Sequence, residues 1–157
     1  MFRIGFSEDI HKTQAGRKLV LGGIEFPNED GLLGHSDADV VVHAIAESIL
    51  GALALGDLGT YFPDNDPKFE GISSLILLDQ VVKMMEEKGF KIGNIDVQVC
   101  CKRPKLSSRI IDMRNMIAMH LNTSIDNVSI KACSFNEVGP IGEGKAIKAM
   151  AYVLLEK

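Results

Sequence analysis

The stretch Leu33-Gly34-His35-Ser36-Asp37-Ala38-Asp39 organises the interpretation of the whole sequence. Ser36 is a favourable N-cap residue and acidic side chains suit the first turn of a helix, so a helix is predicted from Asp37 to Leu55. The last carboxylate of the stretch lies four residues before His43, so the two share a helix face. His35 lies just before the predicted helix start, where anions bind well. A polar site is therefore expected at the start of this helix.

Outside this stretch, strand-like and helical segments alternate along one predicted sheet. Residues 2–6 and 18–26 are predicted as a strand and a β-hairpin, with Gly22-Gly23 in the turn. The Gly-, Pro- and Asp-rich segment 56–67 is predicted as a loop, and long ordered loops are often functional. Further strands are predicted at 95–100 and 127–133, and further helices at 73–88, 108–121 and 144–155.

The composition favours a single domain spanning residues 1–157. The chain has 46% hydrophobic and 24% charged residues, and one hydrophobic core is the default at this size. No apolar run approaches the roughly 18 residues of a membrane span, and the amino terminus lacks the features of a signal or transit peptide, so a cytoplasmic location is expected. A net charge of −4 gives no general attraction to nucleic acid or to a membrane. The 3 cysteines lack the spacing of a disulfide framework or of a four-cysteine zinc site.

Two short motifs together predict a metal site. Residues i and i+2 of an extended segment face the same side, so Asp9 and His11 can converge on one point, and His43 offers a further imidazole. A carboxylate with two imidazoles suits Zn²⁺, and three protein ligands leave a fourth position open for water or a substrate oxygen. Either motif alone is more commonly a surface or hydrogen-bonded group. Spacing by itself therefore does not decide the function.

A longer series of motifs carries a family resemblance. In chain order these motifs are Asp9-Ile10-His11, residues 31–40, His43-Ala44, residues 54–59, Phe62-Pro63-Asp64, Pro104-Lys105 and residues 128–132. Together they resemble the 2-C-methyl-D-erythritol 2,4-cyclodiphosphate synthase family of the non-mevalonate isoprenoid pathway, over nearly the whole chain. The resemblance implies an α+β fold with a mixed four-stranded sheet, helices packed on one face and a β-hairpin. It also implies a homotrimer with active sites between subunits.

The reaction implied by this resemblance is that of a metal-dependent phosphorus–oxygen lyase. The substrate would be 4-diphosphocytidyl-2-C-methyl-D-erythritol 2-phosphate, whose own 2-phosphate attacks the β-phosphate. The products would be 2-C-methyl-D-erythritol 2,4-cyclodiphosphate and CMP. Because the nucleophile belongs to the substrate, the protein has to supply positioning and charge neutralisation. The implied cofactors are one Zn²⁺ per subunit, on Asp9, His11 and His43, and Mg²⁺ or Mn²⁺ at the substrate diphosphate.

The resemblance also assigns roles to other residues. His35 and Ser134 match catalytic positions, and His35 would stabilise the transition state. The implied substrate-binding residues are Asp9, His11, His35, Ser36, Asp57, Leu58, Gly59, Phe62, Asp64 and Asp66. The implied nucleotide-binding residues, contributed by the neighbouring subunit, are Cys101, Lys105, Leu106, Ser107, Cys133 and Ser134.

The region near the carboxyl end departs from the family pattern. Asn136 stands where the family has a Glu that binds the second cation, so weaker Mg²⁺ binding is predicted unless Glu137 takes its place. Glu143 stands where the family often has an Arg that holds the diphosphate of an isoprenoid on the trimer axis. Acidic groups around a shared axis repel a diphosphate, so no isoprenoid diphosphate is expected there.

Two other functions stay open at this point. The same Asp9, His11 and His43 site would serve a metal-dependent phosphoesterase that activates water. A catalytically impaired, trimeric binding module of the same fold is suggested by the changes at Asn136 and Glu143. Products separate the possibilities, because a phosphoesterase releases inorganic phosphate and a binding module releases nothing.

Overall fold

A mixed five-stranded sheet forms the centre of the computed structural model, which describes residues 1–157. The strands are β1 (Phe2–Gln14), β2 (Leu19–Leu21), β3 (Ile24–Phe26), β4 (Gly31–Leu32), β5 (Lys91–Cys100), β6 (Val128–Cys133) and β7 (Ala146–Glu156). The spatial order is β4-β1-β7-β5-β6; β5 and β6 are parallel, and the other pairs are antiparallel. The separate pair β2 and β3 is the predicted hairpin.

Five helices accompany the sheet. They are α1 (Val40–Ala52), α2 (Leu58–Tyr61), α3 (Ser74–Glu87), α4 (Ile110–His120) and α5 (Gly139–Gly142). The predicted helices at 73–88 and 108–121 are confirmed within two residues at each end. The segment predicted as loop 56–67 contains the single-turn helix α2 and leads into a 3₁₀ turn, Pro67–Phe69. None of these helices combines the length and the apolar composition that a membrane span requires.

The α+β class and the mixed sheet are confirmed, but the predicted number of four strands is wrong. The shortest strand of the sheet, β4, has only two residues and pairs with the end of β1 through Thr13 and Leu32. A two-residue strand carries no periodic pattern of its own, so the sequence gives no signal for it. β1 itself extends from the predicted residues 2–6 to residue 14, because β7 pairs with it from Phe2 to Lys12 and β4 pairs with its last two residues.

The helix predicted at 144–155 is wrong, because this segment is the central strand β7. Its Ala-, Leu- and Met-rich composition favours a helix. Pairing with β1 on one side and β5 on the other overrides that propensity. The burial alternates with the period of a strand: Ile147, Ala149, Ala151, Val153 and Leu155 are buried toward the helices.

The long helices cover one face of the sheet. Helix α1 packs directly on β1 and β7, α3 packs on α1, and α4 packs against β6. The approach of α1 to β1 is close at Gly5, where an added Cβ would lie 1.9 Å from the Ser48 carbonyl oxygen. The opposite face is covered only at one end, by the single-turn helix α5. That face exposes Ile4, Phe6 and Tyr152, which are 81%, 49% and 57% exposed.

The start of α1 differs from the prediction. Asp39, not Ser36, is the N-cap residue, and its Oδ1 atom accepts hydrogen bonds from the N–H groups of Val41 and Val42. The same fully buried carboxylate accepts from the N–H groups of Gly22 and Gly23 in the hairpin turn. One side chain therefore joins the hairpin turn to the helix that carries His43.

Candidate metal centre and phosphate-binding loop

Asp9 and His11 project from the same face of β1, and His43 meets them from α1. The Asp9 Oδ2 atom lies 3.2 Å from His11 Nε2 and 3.1 Å from His43 Nδ1. The three ligand atoms lie within 4.8 Å of one another, and no other set of three His, Cys, Asp or Glu side chains converges in this way. The structure thus brings the three predicted ligands together.

Two of the three donor separations in this triad match those around a tetrahedral ion. Donor atoms about 2.0–2.1 Å from a tetrahedral Zn²⁺ lie about 3.3 Å from one another. The two measured separations are close to that value. The set contains a carboxylate and two imidazoles and has no fourth protein ligand, which leaves one coordination position for another molecule.

A backbone carbonyl orients the ring of His11. Its Nδ1 atom is hydrogen-bonded to the Leu33 carbonyl oxygen, and because a carbonyl can only accept, Nδ1 carries the proton. Nε2 is then the ring nitrogen left to bind a metal ion, and without the ion it faces the Asp9 carboxylate. Leu33 is itself held to β1, since its N–H donates to the Lys12 carbonyl. Ligand histidines in metalloproteins are commonly oriented by such contacts.

The two imidazoles change the acidity of Asp9. Burial would raise the pKa of the Asp9 carboxyl, but hydrogen bonds from His11 and His43 outweigh it and hold the pKa well below its usual range. The hydrogen bond with Asp9 in turn raises the pKa of His11, and partial burial acts against it. Asp9 is therefore ionised near neutral pH, as a metal-binding carboxylate has to be.

Residues 34–36, named here the His35 loop, present free backbone donors to the same cleft. The N–H groups of Gly34, His35 and Ser36 donate to no group of the chain. Their carbonyl oxygens are all engaged: Arg17 donates to Gly34 O at 2.6 Å and to Ser36 O at 2.8 Å, and the Gly71 N–H donates to His35 O at 2.8 Å. Successive N–H groups in such a concave loop bind anions.

The N–H groups available to an anion are thus placed differently from the prediction. The first N–H groups of α1 are occupied by Asp39, so the helix end is closed and the donors belong to the His35 loop. The imidazole of His35 is held by the 56–67 segment, because its Nε2 atom donates to the Asp66 carbonyl at 3.0 Å. The loop and the triad face one cavity of about 300 Å³.

Most of the predicted substrate-binding residues line this cavity. Beside the triad they are His35, Ser36, Leu58, Gly59, Phe62 and Asp64. Asp57 and Asp66 do not line it. Asp57 caps α2 by accepting from the N–H and hydroxyl of Thr60, and Asp66 caps the 3₁₀ turn by accepting from the Lys68 N–H.

Some lining residues were not predicted from the sequence. Glu47 accepts at 3.4 Å from the Ser7 hydroxyl and at 3.4 Å from the Leu58 N–H, so it joins β1, α1 and α2 across the cavity wall. Glu47 lies one helical turn from His43, and Ser7 lies two residues before Asp9. Both spacings place these side chains on the same face as the candidate ligands and could have predicted them. Phe69 and Leu77 also line the cavity, and no local pattern indicates this.

The predicted nucleotide-binding residues lie elsewhere. The Cys101 N–H donates to the Cys133 carbonyl at 2.9 Å, which joins the segments that contain Cys101, Lys105, Leu106, Ser107, Cys133 and Ser134. Cys133 packs with Cys100 and Ile141 on the sheet face opposite α1. Strand β6 is three strand spacings from β1, about 14 Å. None of these six residues lines the cavity at the triad.

The altered carboxyl-terminal segment also lies outside the cavity. Phe135, Asn136 and Glu137 have positive φ angles of 59°, 48° and 65°, and the Ser134 hydroxyl accepts from the Asn136 N–H. Glu143 pairs with Lys145 at 2.6 Å. Lys145 therefore offsets part of the negative charge of Glu143. The exclusion of an isoprenoid diphosphate depends on that charge, and it stays a prediction.

An α+β domain with three converging metal-ligand side chains beside a loop of unpaired N–H groups is the class of protein that this fold and site define. The YgbB family model matches residues 2–156, and the chain belongs to the YgbB family. The resemblance carried by the sequence motifs is thereby confirmed.

Known proteins of similar sequence and structure support this assignment. The 2-C-methyl-D-erythritol 2,4-cyclodiphosphate synthase of Desulfitobacterium hafniense is 50% identical over 157 residues, which is 100% of this chain and 99% of that protein. The bifunctional IspDF of Campylobacter jejuni superposes with a TM-score of 0.94 at 34% identity, over 99% of this chain and 42% of that one. IspF of Plasmodium falciparum, solved as a CDP complex, superposes with a TM-score of 0.86 at 37% identity, over 98% of this chain and 95% of that one.

Proposed function

We propose that the chain is a 2-C-methyl-D-erythritol 2,4-cyclodiphosphate synthase, which cyclises 4-diphosphocytidyl-2-C-methyl-D-erythritol 2-phosphate and releases CMP. The observation that carries the proposal is the convergence of Asp9, His11 and His43 beside the free N–H groups of the His35 loop. Full-length similarity to a synthase of this name supports it.

The arrangement suits a reaction between two phosphates of one substrate. The N–H groups of the His35 loop hold a phosphate, and the His35 side chain, oriented by the Asp66 carbonyl, lies beside it. Zn²⁺ on the triad would polarise a phosphate oxygen and offset its charge. Because the attacking oxygen belongs to the substrate, the chain has to bring the two phosphates together and exclude water rather than provide a nucleophile.

The polyol part of the substrate is assigned to the far wall of the cavity. The backbone groups of Leu58 and Gly59 and the carboxylate of Asp64 supply polar partners for its hydroxyls. Asp57 and Asp66 act through the backbone here, by capping the turns that position these groups.

A homotrimer would complete the site. The predicted nucleotide-binding residues follow β5 and β6, two and three strand spacings from β1, or about 9 Å and 14 Å. None of them lines the cavity at the triad of the same chain. The exposed apolar face around Ile4, Phe6 and Tyr152 provides a surface for a second copy. We expect Ile4→Asp to give monomers in sedimentation and to stop CMP release, while Ile111→Asp on the exposed side of α4 leaves both unchanged. A trimeric Ile4→Asp variant would contradict this arrangement.

The second cation is assigned to Asn136 or Glu137. An Asn oxygen coordinates Mg²⁺ without charge, so more Mg²⁺ should be needed for half-maximal activity than in Asn136→Glu. Titration of Mg²⁺ or Mn²⁺ into both proteins measures this, and equal metal dependence would reject the assignment.

One assay tests the proposed reaction directly. Purified protein is incubated with the diphosphocytidyl substrate, with and without Zn²⁺ and Mg²⁺, and the products are resolved by ³¹P NMR. The proposal requires CMP and a cyclic diphosphate in equal amounts. Release of inorganic phosphate would indicate the phosphoesterase, and binding without turnover would indicate the impaired binding module.

A further inference from the structure

The second ring nitrogen of His43 lies between two serine hydroxyls. Its Nε2 atom is 2.7 Å from Ser74 Oγ and 3.2 Å from Ser36 Oγ, while Nδ1 faces Asp9. A metal ligand at Nδ1 needs a lone pair there, so the ring proton has to be on Nε2. A hydroxyl can donate or accept, so proximity to a serine alone does not determine which nitrogen is protonated.

The hydroxyl of Ser74 has only one available role toward His43, because its proton is already used. Ser74 Oγ donates to Asp37 Oδ1, and an ionised carboxylate can only accept. The Ser74 N–H donates to Asp37 Oδ2 at 3.0 Å, so one residue holds both carboxylate oxygens. Ser74 is fully buried, which excludes water as a competing partner. Ser74 Oγ can therefore only accept from His43 Nε2.

Ser36 does not impose the same direction. Its Oγ accepts from the Ala38 N–H at 3.3 Å, and its own proton makes no contact with a carboxylate. The hydrogen bonds from His43 to Ser74 and from Ser74 to Asp37 are therefore the ones whose donors and acceptors are fixed.

We propose that Ser74 and Asp37 are positioning residues that fix the tautomer of His43 for metal binding, Asp37 acting only through Ser74. The inference rests on the metal site proposed above and adds two residues that belong to none of its predicted ligand or substrate sets. Partners of this kind typically change metal affinity ten- to a hundred-fold when they are removed.

The test compares neighbouring serines. Ser74→Ala removes the acceptor at Nε2, and Ser73→Ala is the matched control because Ser73 caps α3 without a side-chain hydrogen bond. Zinc affinity is measured by competition with a chelating dye, at a temperature where circular dichroism shows each metal-free protein to be folded. We expect Ser74→Ala to bind zinc about ten- to a hundred-fold more weakly and Ser73→Ala to bind it as the parent does.

The second variant is Asp37→Asn, which removes the charge and leaves Ser74 in place. We expect weaker zinc binding here too, and in the zinc-loaded protein the His43 ring N–H observed by ¹H–¹⁵N NMR should exchange with water faster than in the parent. A merely structural role would change the unfolding temperature without changing that exchange.

Parent-like zinc affinity in Ser74→Ala, or an equal loss in Ser73→Ala, would overturn the inference. A slowly exchanging His43 N–H in Asp37→Asn would overturn the role of Asp37. A parent protein that binds zinc but releases no CMP would reject the proposed function and leave this inference standing.

Discussion

Replacing Asp39 by Ala should destabilise the protein more than any other single loss of a carboxylate. Its side chain accepts from Gly22 and Gly23 at 2.9 Å and 2.7 Å, and from Val41 and Val42 at 3.1 Å each. Loss of an N-cap costs about 1 kcal/mol, and each buried donor left unpaired costs about 1–3 kcal/mol. Since Gly23 is only partly buried and can reach water, the expected loss is about 3–5 kcal/mol.

This loss should be visible in thermal unfolding followed by circular dichroism in the presence of a chelator. For a chain of this length, 1 kcal/mol corresponds to about 2–4 °C, so the midpoint should fall by about 6–20 °C. Asp112→Ala is the control, because Asp112 is an exposed partner of Arg109 on α4 and should change stability by less than about 0.5 kcal/mol. Equal midpoints for the two variants would refute the central role given to the Asp39 carboxylate.

The same residue predicts a pH effect of known sign. Burial raises the pKa of Asp39 to about 6, with a further contribution from the charge of Asp37, although hydrogen bonds from Gly23 and its neighbours oppose this. An unfolded Asp has a pKa of about 3.9, so the folded protein binds this proton more tightly. The stability due to this group is therefore present below pH 4 and is lost as the pH rises through 6. The free energy of unfolding of the parent should fall relative to Asp39→Asn over that range, and a constant difference would contradict the shift.

Other residues give further predictions. Arg17 donates to two carbonyl oxygens of the His35 loop, and the shorter Gln can keep at most one of them. Arg17→Gln should therefore raise the KM for substrate about ten-fold, because one such hydrogen bond is worth about 1–1.5 kcal/mol, and zinc affinity should not change; an unchanged KM would exclude this role. Gly5→Ala should prevent α1 from packing on β1, since the added Cβ would lie 1.9 Å from the Ser48 carbonyl; purification of a folded variant with parent-like unfolding would argue against it. Asp79 pairs with His120 at 2.6 Å on the surface between α3 and α4, and a double-mutant cycle should give a coupling of less than about 1 kcal/mol.

Local sequence patterns predicted the three converging side chains of the candidate metal centre, because short-range geometry governs two of them. Asp9 and His11 are two residues apart on a strand and therefore share a face. His43 lies in the first turn of α1, shortly after the motif of residues 33–39. The hairpin turn was predictable for a similar reason, since Gly22 and Gly23 both adopt positive φ angles that other residues rarely adopt.

Long-range pairing decided the features that were predicted wrongly. Nothing local in residues 146–156 shows that β1 and β5 will flank them, and that pairing makes a helix-favouring segment the central strand. The N-cap was predicted at Ser36 but is Asp39. The hairpin turn, which is distant in sequence, donates two N–H groups to the Asp39 carboxylate and holds it at the start of the helix.

By itself the sequence determined which side chains are candidate ligands and which of them share a face, because those properties depend on residues a few positions apart. Only the tertiary structure decided that the unpaired N–H groups belong to the His35 loop and that Asp37 reaches His43 through Ser74. These contacts join segments more than thirty residues apart, and their geometry depends on how α1 and α3 pack against each other.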